Sequence, residues 1–536
     1  MRRGTHRLVR LGGVFLLGCG LLGTMGLPLL PKASAQEAPG AVPRYNAAVK
    51  LHNLGLWDSA AEEWQGFLRD FPQDARAGRA RYYLGVCLFH LKRYEPAAEA
   101  FQVAEKDAQL DADLRESALL YWGASLLEAG REGKAERLPQ AAAALDRYLA
   151  DYPQGKLRAE VVFYRAECDY LLGKKAEAVA GYQRFLQDFG GHESAPNVTY
   201  ALAFAAEESG DREAAARYYR QFLEKYPAHA LAGEVRTRLG EVLYASGEFE
   251  QARQAFAAAA ADKTAPAADE ARIREGDCLV RLRQYDAAAE IYASLAKEFP
   301  QSPLLARAEL AAGKCRYLAG QYDQALPLLQ KSAGIPELRA EALHWTARVL
   351  LKQKQPQKVV EMLTDAELQA APEPARPLLH MDRGDALYEM PERRADSIAE
   401  YRAAAQNPDA DAAAEALYAA AYAALQVEKA PEAWQLTQEF LQRFARHPLT
   451  PEVLHIAAES RLLEGKYDEA AALYDALLKE YGSHPQAVAW RLRQLLAQQL
   501  SGKHEAVISA LTPLVNQWTR AEDLAAAFIL LGRSQL

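Results

Sequence analysis

After about Tyr45 the apolar positions fall into short helical stretches that come in a repeating order. One phrase, an apolar pair, two polar residues and an aromatic followed by Pro, Gly or Ala, starts at Phe67, Tyr148, Phe185, Phe222, Leu295, Phe440 and Leu477. The starts at 148, 185 and 222 are evenly spaced, as are 440 and 477, and the wider gaps are near multiples of the same step. A second phrase precedes it: a glycine, an aromatic or charged residue two positions on, and a small residue to close, from Gly55, Gly210, Gly247, Gly320 and Gly465. Glycine there supplies the tight turn that ends one helix, and the small residue lets the next helix approach closely. The pattern predicts helix–turn–helix units, helix A then helix B, repeated about every 37 residues.

Leu239-Gly240, Gly247, Phe249, Ala252 and Phe256 in one unit, and Gly276, Tyr285, Ala288, Tyr292 and Pro300 in the next, resemble the tetratricopeptide repeat. The resemblance covers nearly everything after Tyr45 and implies an all-α fold, an α-solenoid in which helix pairs stack as a right-handed superhelix. The step is longer than that family's usual 34. Extra length lies near Arg131–Pro139, and the units around Lys354–Leu363 and Glu389–Tyr401 are degenerate. The long step and the Tyr-Pro and Phe-Pro endings look like repeats of bacterial envelope proteins. The organisation expected is residues 1–35 as an export signal, 36–44 as a short tail, 45–520 as about thirteen repeats, and 521–536 as one more helix A. That last segment has Leu531-Gly532 at the signature positions. It reads either as a capping helix or as an incomplete repeat, and the apolar run Phe528–Leu531 favours the second.

Composition supports helix: alanine, the best helix former, is abundant, and Leu, Glu, Gln and Arg are close behind. Charge narrows the partners. Residues 1–35 hold Arg2, Arg3, Arg7, Arg10 and Lys32 and no acid, so without them the chain has 58 basic and 71 acidic residues. A body with that acidic excess is not built to grip nucleic acid, which needs a basic stripe. The four arginines, the apolar stretch Leu11–Leu30 and Ala33-Ser34-Ala35 before Gln36 follow the three-part plan of a secretory signal. Leu16-Leu17-Gly18-Cys19 resembles a lipobox and offers the alternative of a lipid anchor on Cys19; the chain meets a membrane only in that case. Gly18-Cys19-Gly20-Leu21-Leu22-Gly23 spells a dinucleotide fingerprint without a strand and helix around it, and is a chance match.

No catalytic motif, cofactor motif or metal-ligand spacing is present. His504-Glu505 and His192-Glu193 lack the second histidine of a zinc peptidase. Cys87, Cys168, Cys278 and Cys315 occupy one position of helix A in different units. Such positions should lie too far apart for a disulfide, so a small buried hydrophobe is expected. The chain reads as a non-enzyme that binds other proteins or extended peptides, with no small-molecule substrate. By the resemblance, the groove is lined by helix A at the residue two before the Leu position and those two and five after it. Counting gives Tyr82, Phe163, Tyr200, Phe204, Tyr244 and Tyr317, the acids Glu167, Glu241 and Asp277, then Lys314 and Arg348. The other outcome open to these residues is packing between neighbouring A helices. The function expected is a scaffold in the bacterial envelope; a lipid-anchored assembly factor and an accessory part of a larger enzyme are the alternatives.

Overall fold

The computed structural model describes residues 40–263, 265–515 and 520–536. The export signal, Cys19 and the Gln36 boundary lie outside the described residues. Among those described there are 28 α-helices and no strand. The chain is an all-α solenoid of repeats. Helices 41–53 to 504–514 form thirteen helix-A/helix-B pairs, and Ala521–Gln535 follows. No described helix is long and apolar enough to cross a membrane. Contacts divide the described residues after Ala271 into two compact units.

Three recurring contacts explain why this sequence makes these pairs. The turn between A and B needs one residue with left-handed φ, supplied by Gly173, Gly210, Gly247, Gly320, Gly465 and Gly502 at 74–83°. In the same register Lys92, Arg283, Lys354 and Glu428 adopt φ of 58–59° and carry the steric cost that glycine avoids. The second contact is a glycine on helix A beneath a helix B ring. A Cβ on Gly85, Gly240, Gly276 or Gly384 would meet Phe101, Phe256, Tyr292 or Tyr401 at 2.6–2.8 Å. The third closes the joint between repeats. One side chain there accepts a hydrogen bond from the backbone N–H two residues on: Asp74, Asp107, His192, His229, Ser302, Asn407, His447 and His484, at 2.9–3.3 Å. Each satisfies a donor that the helix start leaves over. An imidazole that accepts at Nδ1 carries its proton on Nε2.

The irregular units fall where the repeat phrase weakens. Helix Ala112–Arg131 runs 20 residues and is followed by the 3-10 turn Ala135–Arg137. In the unit after Gln355, helix B is broken into Pro356–Met362 and Asp365–Ala370. In the next, the 3-10 turn Pro391–Asp396 precedes the short helix Ser397–Ala404. Among the described residues Cys87, Cys168, Cys278 and Cys315 form no disulfide and lie inside the helix packing, at most 2% exposed.

Candidate partner-binding surface

Helix A carries the residues that sequence counting placed in a groove, and the structure separates them into two kinds. Tyr82, Phe163, Tyr200 and Phe204 are 1–9% exposed. Tyr82 meets Tyr83 and Phe101 edge-on at 5.2 and 5.6 Å. Phe163 packs on Tyr182 and Phe185. Tyr200 and Phe204 lie parallel with centroids 6.4 Å apart, and Arg238 of the next helix A lies 4.6 Å above Phe204. The Tyr200 hydroxyl donates to Glu234 at 2.6 Å. The expectation of solvent-facing anchors is corrected at these four positions. Tyr82 and Phe163 are sealed by rings of their own helix B, and Tyr200 and Phe204 by Glu234 and Arg238 of the following helix A.

The acids are also occupied. Glu167 accepts from the buried Tyr182 hydroxyl and pairs with Arg131 at 2.5 Å. Burial and then the Glu167 charge push Tyr182 well above its ordinary value, so it stays a neutral donor. Asp277 accepts from Tyr292 at 2.7 Å and pairs with Arg274 at 2.9 Å. The same bond joins Asp385 to Tyr401 at 3.1 Å, and Glu459 to Tyr474. Where the corresponding helix B residue is Phe101, Leu329 or Leu363, helix A has Val86, Lys314 or Arg348 instead. Acid on A thus goes with tyrosine on B, as a buried hydroxyl demands. Two repeats depart from the rule: Phe256 stands fifteen residues after Glu241, and Tyr219 stands fifteen after Phe204, its hydroxyl donating instead to Glu207 at 2.6 Å. Glu241 and Tyr244 are partly exposed, and Tyr244 meets Phe249 of its own repeat at 5.3 Å.

In the second unit the structure brings Lys314, Tyr317 and Arg348 together on helices Leu305–Leu318 and Arg339–Lys352. Trp345, outside the counted positions, joins them. Its ring is 5.3 Å from Tyr317, and Lys314 Nζ lies 5.3 Å from its centroid. Lys314 also pairs with Glu341 at 2.6 Å. The Lys314 and Arg348 side chains keep 33% and 36% of their surface. Arg348 reaches Asp385 at 3.0 Å on helix Arg376–Glu389, where Asp382 is 1% exposed and takes His344 Nδ1 at 2.6 Å. Burial raises the pKa values of Asp382 and Asp385, and His344 and Arg348 oppose that rise. The helix then presents Tyr388, 6.3 Å from Tyr422, which stacks on Tyr418 at 6.1 Å. Tyr422 is 39% exposed, and Arg394 lies 4.8 Å over Tyr388. Tyr388 has the same register as Tyr244 and Tyr317. Sequence counting missed it because Arg383 replaces Leu at the signature position, and the register was recoverable from Gly384.

A Cys–His contact occurs between Cys87 Sγ and His52 Nδ1 at 3.4 Å. Burial pushes the thiol up to about 12 and the imidazole down to about 4. Both groups are held neutral, the opposite of an activated nucleophile. Among the described residues no group of three or more His, Cys, Asp or Glu is placed to hold a metal.

Two family models, both described as tetratricopeptide repeat, match residues 45–112 and 237–303, and residues 160–192, 198–229 and 452–484. The chain carries tetratricopeptide repeats. A search of curated proteins finds no match. Among solved structures, a tetratricopeptide repeat protein from Parabacteroides merdae is 12% identical, covers 56% of this chain and 98% of its own, and has a TM-score of 0.32. A thermophilic TPR protein of Thermus thermophilus is 21% identical, covers 38% and 100%, and has a TM-score of 0.28.

Proposed function

We propose that this chain is a protein-interaction scaffold of the bacterial cell envelope. It holds an extended peptide or a partner helix against the A helices of its second unit. The observation that carries this reading is the half-open cluster of Lys314, Tyr317, Trp345 and Arg348, linked through Arg348–Asp385 to the helix bearing Tyr388. Rigid aromatic rings with a cation at the rim, fixed from behind by buried acids, are the composition of interface anchors. The surfaces around Tyr82, Phe163 and Tyr200 are spent on packing and offer a partner little.

Export is inferred from the arginine-flanked apolar segment and Ala33-Ser34-Ala35. The mass of the mature N-terminus tests it: Gln36 at the start supports a cleaved signal, and a lipidated Cys19 supports an anchored form.

The binding reading is tested by crosslinking the chain in envelope extract, identifying the captured protein and titrating it against Trp345→Ala and Tyr422→Ala. Each anchor removed should weaken binding roughly 30-fold, the equivalent of about 2 kcal/mol, with the far-UV circular dichroism unchanged. Unchanged affinity in both variants would overturn the assignment of this surface.

A further inference from the structure

Helix Ala410–Gln426 is the A helix between those of Tyr388 and Glu452. It turns Asp411, Glu415, Tyr418 and Tyr422 outward, at the spacing of one helical face. Asp411, Glu415 and Tyr422 are exposed and Tyr418 is half-buried. The helix contains no Lys, Arg or His. Asp411 lies 3.5 Å from His447, whereas Glu415 has no ion-pair partner among the described residues. Glu452 approaches Tyr418 from the next helix A: burial, then Tyr422 and Glu452, raise the Tyr418 pKa and keep its hydroxyl neutral. One oxygen of Glu452 is 3.6 Å from His484 Nε2, and Oε2 has no hydrogen-bond partner among the described residues.

Elsewhere this chain covers its rings with its own cations. Arg238 lies 4.6 Å over Phe204, Lys314 5.3 Å over Trp345, Arg394 4.8 Å over Tyr388 and Arg461 3.6 Å over Trp434. Among the described residues no cation lies over Tyr418 or Tyr422. The arginines of the two flanking A helices are held elsewhere: Arg376 at Glu373, Arg383 at Glu400 and Arg461 at Glu464. Two ring faces, each carrying the negative lobe of its quadrupole, therefore stand uncovered beside Glu415 and Glu452. Rings and carboxylates attract the same guest, a cation. A guanidinium suits both better than an ammonium, because its plane stacks on a ring while its edge meets a carboxylate through two hydrogen bonds.

We propose that this surface receives a basic peptide segment, with an arginine side chain lying across Tyr418 and Tyr422 and its guanidinium meeting Glu415. The proposal rests on the reading of the second unit as a partner surface and names the chemistry of what it holds.

The test is fluorescence anisotropy of a labelled peptide of repeated Arg-Gly units, and of its Glu-Gly counterpart, titrated with the full chain at about 150 mM salt to screen long-range attraction. The parent should bind the arginine peptide and not the glutamate one. Tyr422→Leu keeps the apolar bulk but removes the ring, and should weaken binding about fivefold, whereas Tyr422→Phe should keep the parent affinity. Glu415→Gln should weaken it about threefold. Glu136→Gln, the same loss of charge at an exposed position of the first unit, should change nothing. Far-UV circular dichroism should be unchanged throughout. Equal losses in Glu136→Gln and Glu415→Gln would reveal attraction by net charge alone and overturn the proposal, as would no binding of the arginine peptide or full affinity in Tyr422→Leu. Binding of the glutamate peptide that depends on Tyr422 also overturns it, while leaving the surface a peptide site. The Trp345→Ala titration judges the scaffold reading separately.

Discussion

Replacing Glu167 with alanine distinguishes a groove carboxylate from a structural one. Glu167 is 6% exposed, accepts from Tyr182 and pairs with Arg131. Its loss leaves the hydroxyl of Tyr182, itself 1% exposed, without an acceptor, a cost of about 1–3 kcal/mol. Arg131 keeps Glu128 three residues before it, so the guanidinium is not stranded. The total therefore falls at the low end of what breaking a buried pair costs, about 3 kcal/mol. In a repeat array that loss is felt locally. The assay is amide hydrogen exchange, read separately on peptides from Arg158–Leu171 and Lys175–Phe189. A loss of about 3 kcal/mol corresponds to exchange roughly 100-fold faster in these two helices. Tyr182→Phe, which removes only the hydrogen bond, should give a smaller increase of about tenfold. Glu136→Ala, at an exposed position, should give none. Protection in Glu167→Ala within about threefold of the parent would refute the reasoning and return Glu167 to the binding surface.

Two further outcomes follow from packing and burial. Ala252 and Ala288 are fully buried, so Leu at either should cost about 1–3 kcal/mol by overpacking, whereas Glu250→Ala should stay within about 0.5 kcal/mol; urea titration of each variant compares them, and equal losses would sink the register. His52 faces Trp57, Tyr83, Cys87 and His90, and burial lowers it from 6.5 to about 4. The unfolded chain therefore binds more protons between those values, so the His52 contribution is fully present above 6.5 and is lost as pH falls toward 4. Trp57 fluorescence, followed against pH, should report the first repeat loosening in that window, and His52→Leu should flatten the response; an unchanged slope in the variant would refute it.

The helix pairs were legible because each depends on residues with few substitutes: a turn glycine, a small residue at the crossing, and a ring opposite a glycine. The unbridged state of Cys87, Cys168, Cys278 and Cys315 was legible for the same reason, since one register cannot bring two thiols together. The surface was less so. Counting positions locates a line on helix A, but whether that line is wet depends on how closely the next helix A lies, and no single repeat encodes that distance. Tyr200 is sealed by Phe204 and Arg238, whereas Tyr317 borders a repeat whose helix B is broken, and keeps part of its surface. The histidine joints went unread although their spacing is in the sequence, His192 and His229, and His447 and His484, each being 37 apart. What could not be seen was their chemistry, because a side chain accepting from a backbone N–H two residues on is shared by Asp, Asn, Ser and His, and only coordinates show the four as one device.

The match between acid on helix A and tyrosine on helix B bears on how such a chain finds its fold. Thirteen look-alike hairpins in one polypeptide present each A helix with many B helices of similar shape, and apolar packing alone would accept several of them. A tyrosine-bearing B helix docked on the A helix of Lys314 or Arg348 would bury a hydroxyl facing a cation. A phenylalanine-bearing one docked on Glu459 would take away that carboxylate's tyrosine donor and leave it to Arg493 alone. Each mismatch costs about 1–3 kcal/mol, enough to make wrong partners short-lived without adding much to the strength of the right ones. The polar pairs thus favour the right hairpin partners chiefly through what a wrong partner would leave unpaired.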